Sequence, residues 1–409
     1  MTTYTIERLG QQGDGIARGP LFAPMTLPGE VVRGTVQDDM LTDIKIDTPS
    51  DHRVSPLCPH FRSCGGCQLQ HASDDFVAQW KWSVVRSALA QHGLEPHVRE
   101  TLTSPGRSRQ RATFAARRTK KGAMVGFHGR KSDAIVQVPH CVLVHPDLVA
   151  AFPLIEGLTM AGASRKTALA VTVTRSREGL DVSVRNGKPL DGPLRQSLAA
   201  LADAHRVARL GWGDEVVAMR HPPLQAMGAA MVAPPPGAFL QATAHGQDTL
   251  CDLVADIVGD ATRIVDMFAG CGTFALRLAS GAEVHAVEGD ADMLAALDHG
   301  WRSAQGLKRV TPEVRDLFRR PLLTDELTTF DAAVIDPPRA GAAAQIAELA
   351  KAQLPIIAHV SCNPQTFARD AETLCNAGYL LDWVQPVDQF RWSAHVELVG
   401  AFRLAHMPG

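Results

Sequence analysis

Residues 265–272 read Val265-Asp266-Met267-Phe268-Ala269-Gly270-Cys271-Gly272, in which an apolar stretch runs directly into a glycine turn. The pattern predicts a strand that ends near Met267 and a helix that begins shortly after the second glycine. Glycines at such a junction let the backbone approach a ligand closely. Because a glycine pair alone is a weak signal, the surrounding chain decides whether this stretch forms a binding site.

The chain around this stretch alternates predicted strands and helices from residue 236 to its end, an order typical of a doubly wound, Rossmann-like α/β sheet. Glu288 ends the next strand, where a carboxylate can accept hydrogen bonds from a ribose. Phe274-Ala275 stands where a dinucleotide-binding sequence has its third glycine, and this favours an adenosine ligand such as S-adenosylmethionine. The predicted strands are Arg263 to Met267, Glu283 to Val287, Glu313 to Arg315, Ala332 to Ile335, Ile356 to Val360, Leu380 to Val384 and Val396 to Leu404, with helices at about 273–280, 291–304, 342–353 and 364–377.

The residues before this sheet divide into two further regions. Residues 1–55 are rich in β-branched residues and glycine, which predicts a small β-barrel. Residues 56–235 contain a cysteine-rich loop, a predicted helix from Asp74 to His92 and several short strands, and they end at a proline run. A chain of 409 residues exceeds what one hydrophobic core supports, so we expect three domains, at 1–55, 56–235 and 236–409.

Composition and charge exclude several classes of protein. No apolar run approaches the roughly 18 to 20 residues of a membrane span, and the N-terminus lacks the apolar core of a signal peptide. We therefore expect a cytoplasmic protein that has no membrane contact, and we take it to be a monomer. The formal net charge is −2, but basic residues outnumber acidic ones before residue 236 and acidic residues outnumber basic ones after it.

The basic excess is concentrated between Ser104 and Lys131, a stretch without any acidic residue. Strand-like residues surround the run and a Gly-Ala turn interrupts it, which predicts a basic hairpin that faces phosphates. A solvated charged face without a ligand is the ordinary alternative for such a run. Its basic residues are Arg107, Arg109, Arg111, Arg117, Arg118, Lys120, Lys121, Arg130 and Lys131.

Ser361-Cys362-Asn363-Pro364 follows the apolar run from Leu354 to Val360. The cysteine is thus predicted at the carboxyl end of a buried parallel strand, where α/β enzymes bind their ligands. A lone cysteine in such a place is more often an inert buried thiol. The glycine turn, Glu288 and the strand end Asp336-Pro337-Pro338-Arg339 favour a ligand site at the same edge, so we predict a nucleophile at Cys362.

A second group of cysteines stands in Cys58-Pro59-His60-Phe61-Arg62-Ser63-Cys64-Gly65-Gly66-Cys67, with Cys141 farther along the chain. In a reducing compartment these thiols are not expected to form disulfides, which points to a metal. Zinc ribbons bring paired ligands from two sides, whereas three cysteines plus one suit a four-cysteine iron–sulfur cluster. A structural zinc is the alternative. The spacing differs from the C-x3-C-x2-C of radical enzymes, so a structural cluster is predicted.

Together these motifs resemble those of the S-adenosylmethionine-dependent RNA uracil-5-methyltransferases, along nearly the whole chain. The likeness is closest to the bacterial branch that carries an N-terminal TRAM barrel and a four-iron cluster and acts on 23S ribosomal RNA. It rests on Ile6 to Arg18, Leu27 to Glu30, the cysteine motif through His71, Phe239-Leu240-Gln241, Asp266 to Thr273, Glu288, Asp316, Asp336 to Arg339, Ser361 to Pro364 and Asp388 to Glu397. Three residues depart from the family's usual pattern, since Arg391 stands for a proline, Ser393 for a threonine and Thr273 for an asparagine.

The resemblance implies a role for each predicted site residue. Carbon 5 of uracil is a poor nucleophile, but a thiolate that adds at carbon 6 turns the ring into an enolate that can take a methyl group. Cys362 would supply the thiolate, and Glu397 would remove the proton from carbon 5 so that the cysteine can leave. His395 is expected to support Glu397 from the same strand face. The base and the cofactor would be held by Gln241, Phe268, Gly270, Gly272, Thr273, Glu288, Asp316 and Asp336, and the 4Fe-4S cluster by Cys58, Cys64, Cys67 and Cys141.

Several functions are compatible with the sequence. The RNA target follows only from the resemblance, so a uridine of 23S rRNA is expected and a uridine of the tRNA T-loop is the alternative. An RNA-binding or folding factor with little turnover would tolerate loss of Cys362 and Glu397. An amino-methyltransferase would carry an aromatic residue after Asp-Pro-Pro, where this chain has Arg339, and a radical enzyme would need an open iron site.

Overall fold

The computed structural model describes residues 2–405, and its strands form a closed barrel, a two-stranded ribbon and two larger sheets. The barrel comes first and has five strands, as the sequence predicts for this region. Gly15 is required in its wall, since an added Cβ would lie 2.1 Å from the Thr26 hydroxyl. The strands are β1 (Thr2–Leu9), β2 (Gly15–Ala17), β3 (Leu21–Ala23), β4 (Val31–Gln37) and β5 (Met40–Thr48), and Ile6, Ala17, Ala23, Val32 and Leu41 fill the interior.

The middle of the chain forms a seven-stranded sheet in the order β10-β9-β8-β11-β12-β13-β14, and α3 and α4 pack together against it. Its elements follow the long helix α1 and the short strands β6 and β7, all three of which pack with the last sheet of the chain. In chain order the elements are α1 (Asp74–Gln91), β6 (His97–Val98), β7 (Leu102–Thr103), β8 (Arg111–Arg118), β9 (Ala123–His128), β10 (Ile135–Gln137), α2 (Pro146–Ala150), α3 (Phe152–Gly162), β11 (Leu169–Ser176), β12 (Gly179–Arg185), α4 (Gly192–Ala204), β13 (Arg209–Trp212) and β14 (Glu215–Met219).

The basic run contains the predicted hairpin. β8 and β9 pair antiparallel, with Arg117 opposite Met124 and Arg118 opposite Ala123. The backbone N–H of Thr119 donates to the carbonyl of Gly122 at 2.7 Å and closes the turn. Lys120 and Lys121 are exposed at its tip, so these two charges point into solvent.

The last region builds a nine-stranded sheet in the order β19-β18-β17-β20-β21-β23-β22-β6, with β7 also paired to β22. The five strands β17 to β21 run parallel, whereas β23 is antiparallel to β21 and β22 is antiparallel to β23. The two-stranded ribbon, β15 (Gln225–Met227) and β16 (Ala230–Val232), precedes this region. The elements of the region are α5 (Ala244–Val258), β17 (Arg263–Met267), α6 (Ala275–Leu278), β18 (Glu283–Glu288), α7 (Ala291–Ser303), β19 (Val310–Val314), α8 (Thr324–Leu327), β20 (Ala332–Ile335), α9 (Ala343–Ala352), β21 (Ile356–Ser361), α10 (Pro364–Asn376), β22 (Tyr379–Asp388) and β23 (Glu397–Leu404).

The sheet also recruits segments from before residue 236. β6 and β7 extend it beside β22, and α1 packs on it through Val85, Ala88 and Leu89. The opposite face is covered by α5, which the sequence did not predict, and by α7. The α/β class and the barrel are therefore confirmed, while the upstream region is joined to the last sheet more closely than a division at residue 236 indicates.

Candidate active site

A cavity of about 560 Å³ opens at the carboxyl ends of β17, β18, β20 and β21. These ends meet at one edge of the parallel part of the sheet, so residues distant in sequence converge there. The volume falls within the usual range for small-molecule sites. Eight of the residues predicted from sequence line it: Gln241, Phe268, Gly270, Glu288, Asp316, Asp336, Cys362 and Glu397.

Gly272 and Thr273 lie behind the cavity and do not line it. Gly272 has a φ of +94°, and an added Cβ would approach Leu276 and Leu297 within 2.9 Å. The Thr273 carbonyl accepts a hydrogen bond from the Cys251 thiol at 3.3 Å. Both residues therefore pack the glycine turn against the helices α5, α6 and α7.

The glycine turn and Glu288 hold each other in place. The backbone N–H of Gly270, at a φ of +55°, donates to Glu288 Oε2 at 2.9 Å, and the N–H of Asp290 donates to Oε1 at 2.9 Å. Asp266, beneath the turn, accepts from the N–H of Ala275 at 2.9 Å. Two backbone donors thus fix the Glu288 carboxylate, and its remaining lone pairs are available to a ligand.

Two aromatic rings meet at the cavity wall. The ring centroids of Phe268 and Phe318 lie 5.4 Å apart, and Phe268 has a φ of +63°, which is unusual for a residue with a side chain. Phe318 is 51% exposed and was not predicted as a site residue, although it follows Asp316 by only two positions. An exposed phenylalanine next to a predicted binding residue is the signal that could have identified it.

Cys362 lies in the turn between β21 and α10. Asn363 caps the helix by accepting from the N–H of Gln365 at 3.1 Å, and the N–H of Asn363 donates to the Ser361 hydroxyl at 3.2 Å. Burial, followed by the carboxyl groups of Glu397 and Asp336, raises the pKa of the Cys362 thiol to about 11, while Arg339 opposes the shift. The thiol is therefore protonated at neutral pH.

Asp336 and Glu397 form an acidic pair beside this thiol. Burial raises the pKa of Asp336 to about 7. Burial, followed by the charge of Asp336, raises the pKa of Glu397 to about 8, while Gln389 and Arg339 oppose the shift. Glu397 is only 4% exposed. A carboxyl group with such a pKa can exchange a proton near neutral pH.

The structure separates His395 from the strand of Glu397. β23 begins at Glu397 and not at Val396 as predicted, so His395 lies in the preceding loop. Its Nδ1 accepts a hydrogen bond from the Arg339 guanidinium at 3.0 Å. Burial, aided by the charge of Arg339, lowers the pKa of His395, which keeps the imidazole neutral. The predicted shared strand face is wrong, because the chain turns before it enters the sheet.

The segment between β22 and β23 is held by a buried ion pair that the sequence did not reveal. Lys81 Nζ on α1 lies 2.6 Å from Asp388 Oδ1, and both side chains are at most 1% exposed. Lys81 also donates to the Phe390 carbonyl at 3.3 Å, and the N–H of Phe390 donates to Asp388 at 3.0 Å. The pair fixes against α1 the segment that carries Gln389 and His395 and that leads into β23 at Glu397.

Arg391, which replaces the usual proline, provides a second attachment. Its guanidinium donates to the Ser104 carbonyl at 3.0 Å and to the carboxylate of Asp74 at the start of α1. The indole N–H of Trp392 donates to the same carboxylate at 3.1 Å, and the backbone N–H of Gln68 donates to the Trp392 carbonyl at 2.7 Å. The segment is thus tied to the cysteine-rich loop as well.

The four predicted metal-binding cysteines come together near this attachment. Cys58, Cys67 and Cys141 pack in one cluster with Trp392. Burial raises the pKa of Cys67 to about 12, with smaller contributions from Cys141, Cys64 and Cys58, which reflect the closeness of the four thiols. Within residues 2–405, however, no group of three or more His, Cys, Asp or Glu side chains is arranged to hold a metal ion. The predicted metal site is therefore not shown.

Comparison with known proteins identifies relatives over the full length of the chain. Residues 232–403 match the sequence family described as tRNA (Uracil-5-)-methyltransferase. An uncharacterized RNA methyltransferase of Rhizobium meliloti is 45% identical over 97% of this chain and 98% of its own. The 23S rRNA (uracil(1939)-C(5))-methyltransferase RlmD of a Shewanella species is 30% identical, over 98% of this chain and 96% of its own.

A solved structure shares the overall fold. The tRNA (uracil-54, C5)-methyltransferase of Pyrococcus abyssi, in complex with S-adenosyl-L-homocysteine, superposes with a TM-score of 0.76 and is 22% identical. The match covers 98% of this chain and all of the archaeal chain. Among residues 2–405, no helix combines the length and apolarity that crossing a membrane requires.

Proposed function

Because the chain belongs to the family of S-adenosylmethionine-dependent RNA uracil-5-methyltransferases, we propose that it methylates carbon 5 of a uridine in 23S ribosomal RNA through a covalent adduct at Cys362. The convergence of Cys362, Asp336 and Glu397 on one cavity carries the proposal. A relative named as a 23S rRNA uracil-C5-methyltransferase aligns with 98% of the chain and supports the ribosomal target.

The first step needs a thiolate in a pocket that disfavours it. Burial, followed by the carboxyl groups of Glu397 and Asp336, raises the pKa of Cys362, so the thiol passes its proton to the ionised carboxylate of Asp336, whose own pKa is about 7, as its sulfur adds to carbon 6 of the uracil. Arg339 lowers that pKa and is placed to stabilise the negative charge that develops. S-adenosylmethionine supplies the methyl group that carbon 5 then takes up.

The second step removes a proton. Carbon 5 carries both a methyl group and a hydrogen after transfer, and a base must take that hydrogen so that the bond between sulfur and carbon 6 can break. Glu397 in its ionised form is the proposed base; burial and Asp336 raise its pKa to about 8, so the carboxyl group must first lose its proton to solvent but is then a stronger proton acceptor than an exposed one. The eliminated thiolate takes its proton back from Asp336, Glu397 releases the proton from carbon 5 to solvent, and the site returns to its starting state.

We assign the cofactor to the wall formed by β17 and β18. The fixed carboxylate of Glu288 would accept hydrogen bonds from the ribose, and Gly270 leaves room for the backbone to approach it. The ring of Phe268 would pack on the adenosine, and Asp316 would meet the adenine. Asp336 and Gln241 would orient the target base and the methionine end of the cofactor.

An iron–sulfur cluster at the four cysteines remains a proposal, and the surroundings of the thiols are compatible with it. Each iron of a 4Fe-4S cluster takes one thiolate, so the sulfur atoms need not converge on a single point as they do around one metal ion. Arg130 donates to the carbonyls of Cys67 at 2.5 Å and of Phe61 at 3.1 Å, which places a cation beside the thiols. Its charge would offset part of the negative charge of four thiolates.

The RNA would be held by the upstream regions. We assign residues 1–55 to a TRAM-like RNA-binding barrel, residues 56–235 to the domain of the thiols and the basic hairpin, and residues 236–409 to the methyltransferase domain. A groove lined by Gln11, Gln12, Arg339 and Cys362 connects the barrel with the catalytic cysteine. This continuity supports a path for RNA from the barrel into the cavity.

The experiment that tests the function is the mapping of 5-methyluridine in RNA from a strain that lacks the gene. Mass spectrometry of ribosomal RNA and tRNA should show one or more 5-methyluridines missing from 23S rRNA, and a plasmid copy should restore them. A loss confined to the tRNA T-loop would assign the enzyme to tRNA instead. Unchanged 5-methyluridine in both RNAs would contradict the proposal.

A further inference from the structure

Gln389 lies directly after β22 and is 1% exposed, yet the family resemblance gives it no role. Its Oε1 accepts a hydrogen bond from the backbone N–H of Ala242 at 2.9 Å. Its Nε2 donates to Gln241 Oε1 at 2.6 Å. Gly246 on α5 makes room for this arrangement, because an added Cβ would lie 2.7 Å from the Cβ of Gln389. The side chain is thus enclosed and bonded at both ends of its amide.

These bonds determine which end of each amide is which. A backbone N–H can only donate, so the atom of Gln389 that faces Ala242 must be the oxygen. The NH₂ group of Gln389 therefore faces Gln241, and the atom of Gln241 that receives it must also be an oxygen. The backbone N–H of Ala242 thus fixes the orientation of the Gln389 amide, and that amide fixes the orientation of the Gln241 amide.

This orientation determines which group Gln241 presents to the cavity. Gln241 is 5% exposed and lines the cavity with Asp336, Cys362 and Glu397. With its oxygen occupied, its NH₂ group is the end left to face a ligand, and none of the hydrogen bonds recorded for residues 2–405 uses it. A fixed donor suits the carbonyl that uracil carries at position 4. It does not suit the amino group that cytosine carries at the same position, since two donors cannot pair.

We propose that Gln389 is a positioning residue that sets the preference of the cavity for uracil over cytosine by fixing the amide of Gln241. The proposal rests on the proposed function. Without the Gln389 donor, the Gln241 amide can rotate and present its oxygen, which accepts from an amino group as readily as its NH₂ donates to a carbonyl. Discrimination between the two bases would then fall.

Gln389 also bears on Glu397, whose pKa it tends to lower. An effect of Gln389 through Glu397 and an effect through Gln241 would change different measured quantities. If Gln389 acts through Glu397, its replacement should shift the pH at which proton removal becomes slow, and the shift should be the same for uracil and cytosine. Loss of the fixed Gln241 donor would change the ratio of rates between the two bases at one pH.

The test uses the full-length protein, S-adenosylmethionine and two transcripts of 23S rRNA, one containing 5-fluorouridine and the other 5-fluorocytidine. Fluorine at carbon 5 blocks the final elimination, so the rate of covalent adduct formation measures attack on each base. For Gln389→Met, which keeps the length of the side chain without its polar ends, we expect the 5-fluorouridine to 5-fluorocytidine rate ratio to fall on the order of 10- to 100-fold. Retention of the wild-type ratio would overturn the proposal.

Two further variants separate positioning from general damage. Gln385→Met changes a second buried glutamine, one within β22, whose NH₂ group donates to the carbonyl of Pro386 at 3.1 Å, and it should keep the wild-type ratio. In a Gln241→Ala background, Gln389→Met should change the ratio no further, because the two residues act as one unit. A full effect in that background, or a shifted pH profile with an unchanged ratio, would contradict the role. Failure of the wild type to trap 5-fluorouridine would instead refute the proposed function, and this role with it.

Discussion

Lys81 and Asp388 form an ion pair of 2.6 Å that is almost completely excluded from solvent and joins α1 to the end of β22. Burial lowers the pKa of Lys81 and raises that of Asp388, and each partner opposes the shift of the other. The pair therefore keeps its charges only while both members are present. Since α1 follows the cysteine-rich loop and Asp388 precedes the segment between β22 and β23, this one contact connects the upstream region with the segment that leads into Glu397.

Lys81→Met should destabilise the protein by about 3–5 kcal/mol, because the buried Asp388 carboxyl group keeps its hydrogen bond from the Phe390 N–H but loses its only cation within the ion pair. Urea unfolding measures the change. The double variant Lys81→Met with Asp388→Leu should recover much of the loss, since no charge is then buried. Arg277→Met, which removes an exposed ion pair with Asp252, is the control and should leave stability nearly unchanged. A small effect of Lys81→Met would show that the pair is not structural.

Glu397 should make the protein less stable as the pH rises. Its pKa is raised from 4.5 to about 8 in the folded state, so between these values the folded chain binds a proton that the unfolded chain has lost. Stability then falls with pH, by up to about 1.4 kcal/mol per pH unit from this group. Asp336, raised to about 7, acts in the same direction.

Glu397→Gln removes the larger of these contributions. The variant should gain stability relative to the wild type as the pH rises from about 5 to about 8, with little difference at the acid end. Urea unfolding over this range gives the comparison. Parallel pH profiles for the two proteins would show that Glu397 is ionised throughout and does not hold a proton near neutral pH.

Short-range patterns predicted the strands around the cavity well. β17 and β20 have the predicted bounds, because apolar runs bounded by turn residues are typical of buried parallel strands. α5 escaped prediction, and β22 is longer at both ends than expected. β6 and β7 were also missed, since strands of two residues carry no periodicity and are stabilised by pairing with β22.

Side chains that act through another residue were harder to identify from sequence. Cys362 and Glu397 stand in motifs with a chemical meaning, so their residue types suggested their roles. Lys81 lies in a helical segment where a lysine would ordinarily be exposed, and only the tertiary contact with Asp388 reveals its burial. From sequence, Arg391 could be described only as a replacement of the proline usual in the motif. The structure shows that it donates hydrogen bonds to Ser104 and Asp74, so it ties the segment between β22 and β23 to the start of α1.

The basic hairpin should contribute to RNA binding through its charges. Replacing Arg117, Arg118, Lys120 and Lys121 with alanine should weaken binding to 23S rRNA and reduce the slope of log K against log salt by roughly 0.7–0.9 for each phosphate contact that is lost. Binding of S-adenosylmethionine should not change. Arg165→Ala with Lys166→Ala, an exposed basic pair elsewhere, is the control and should keep the slope. An unaltered slope in the hairpin variant would identify the run as a solvated face.

Cys64→Ser should lower the iron content of anaerobically purified protein and destabilise the upstream region, because cluster binding is coupled to folding. The wild type should be brown and contain iron and sulfide in stoichiometric amounts. Cys375→Ser, on α10 and outside the thiol group, is the matched control and should keep its iron. Stoichiometric zinc without iron in the wild type would contradict the cluster.

The covalent mechanism is tested most directly by trapping the enzyme on 23S rRNA that contains 5-fluorouridine and observing a slowly migrating band on a denaturing gel. Wild-type protein with S-adenosylmethionine should form the band, and Cys362→Ala should bind the RNA without forming it. With unmodified RNA, Glu397→Gln should transfer one methyl group and stall as the adduct, because elimination lacks its base. A Cys362→Ala protein that still becomes cross-linked to the fluorinated RNA, or a Glu397→Gln protein that turns over normally, would contradict the assigned roles.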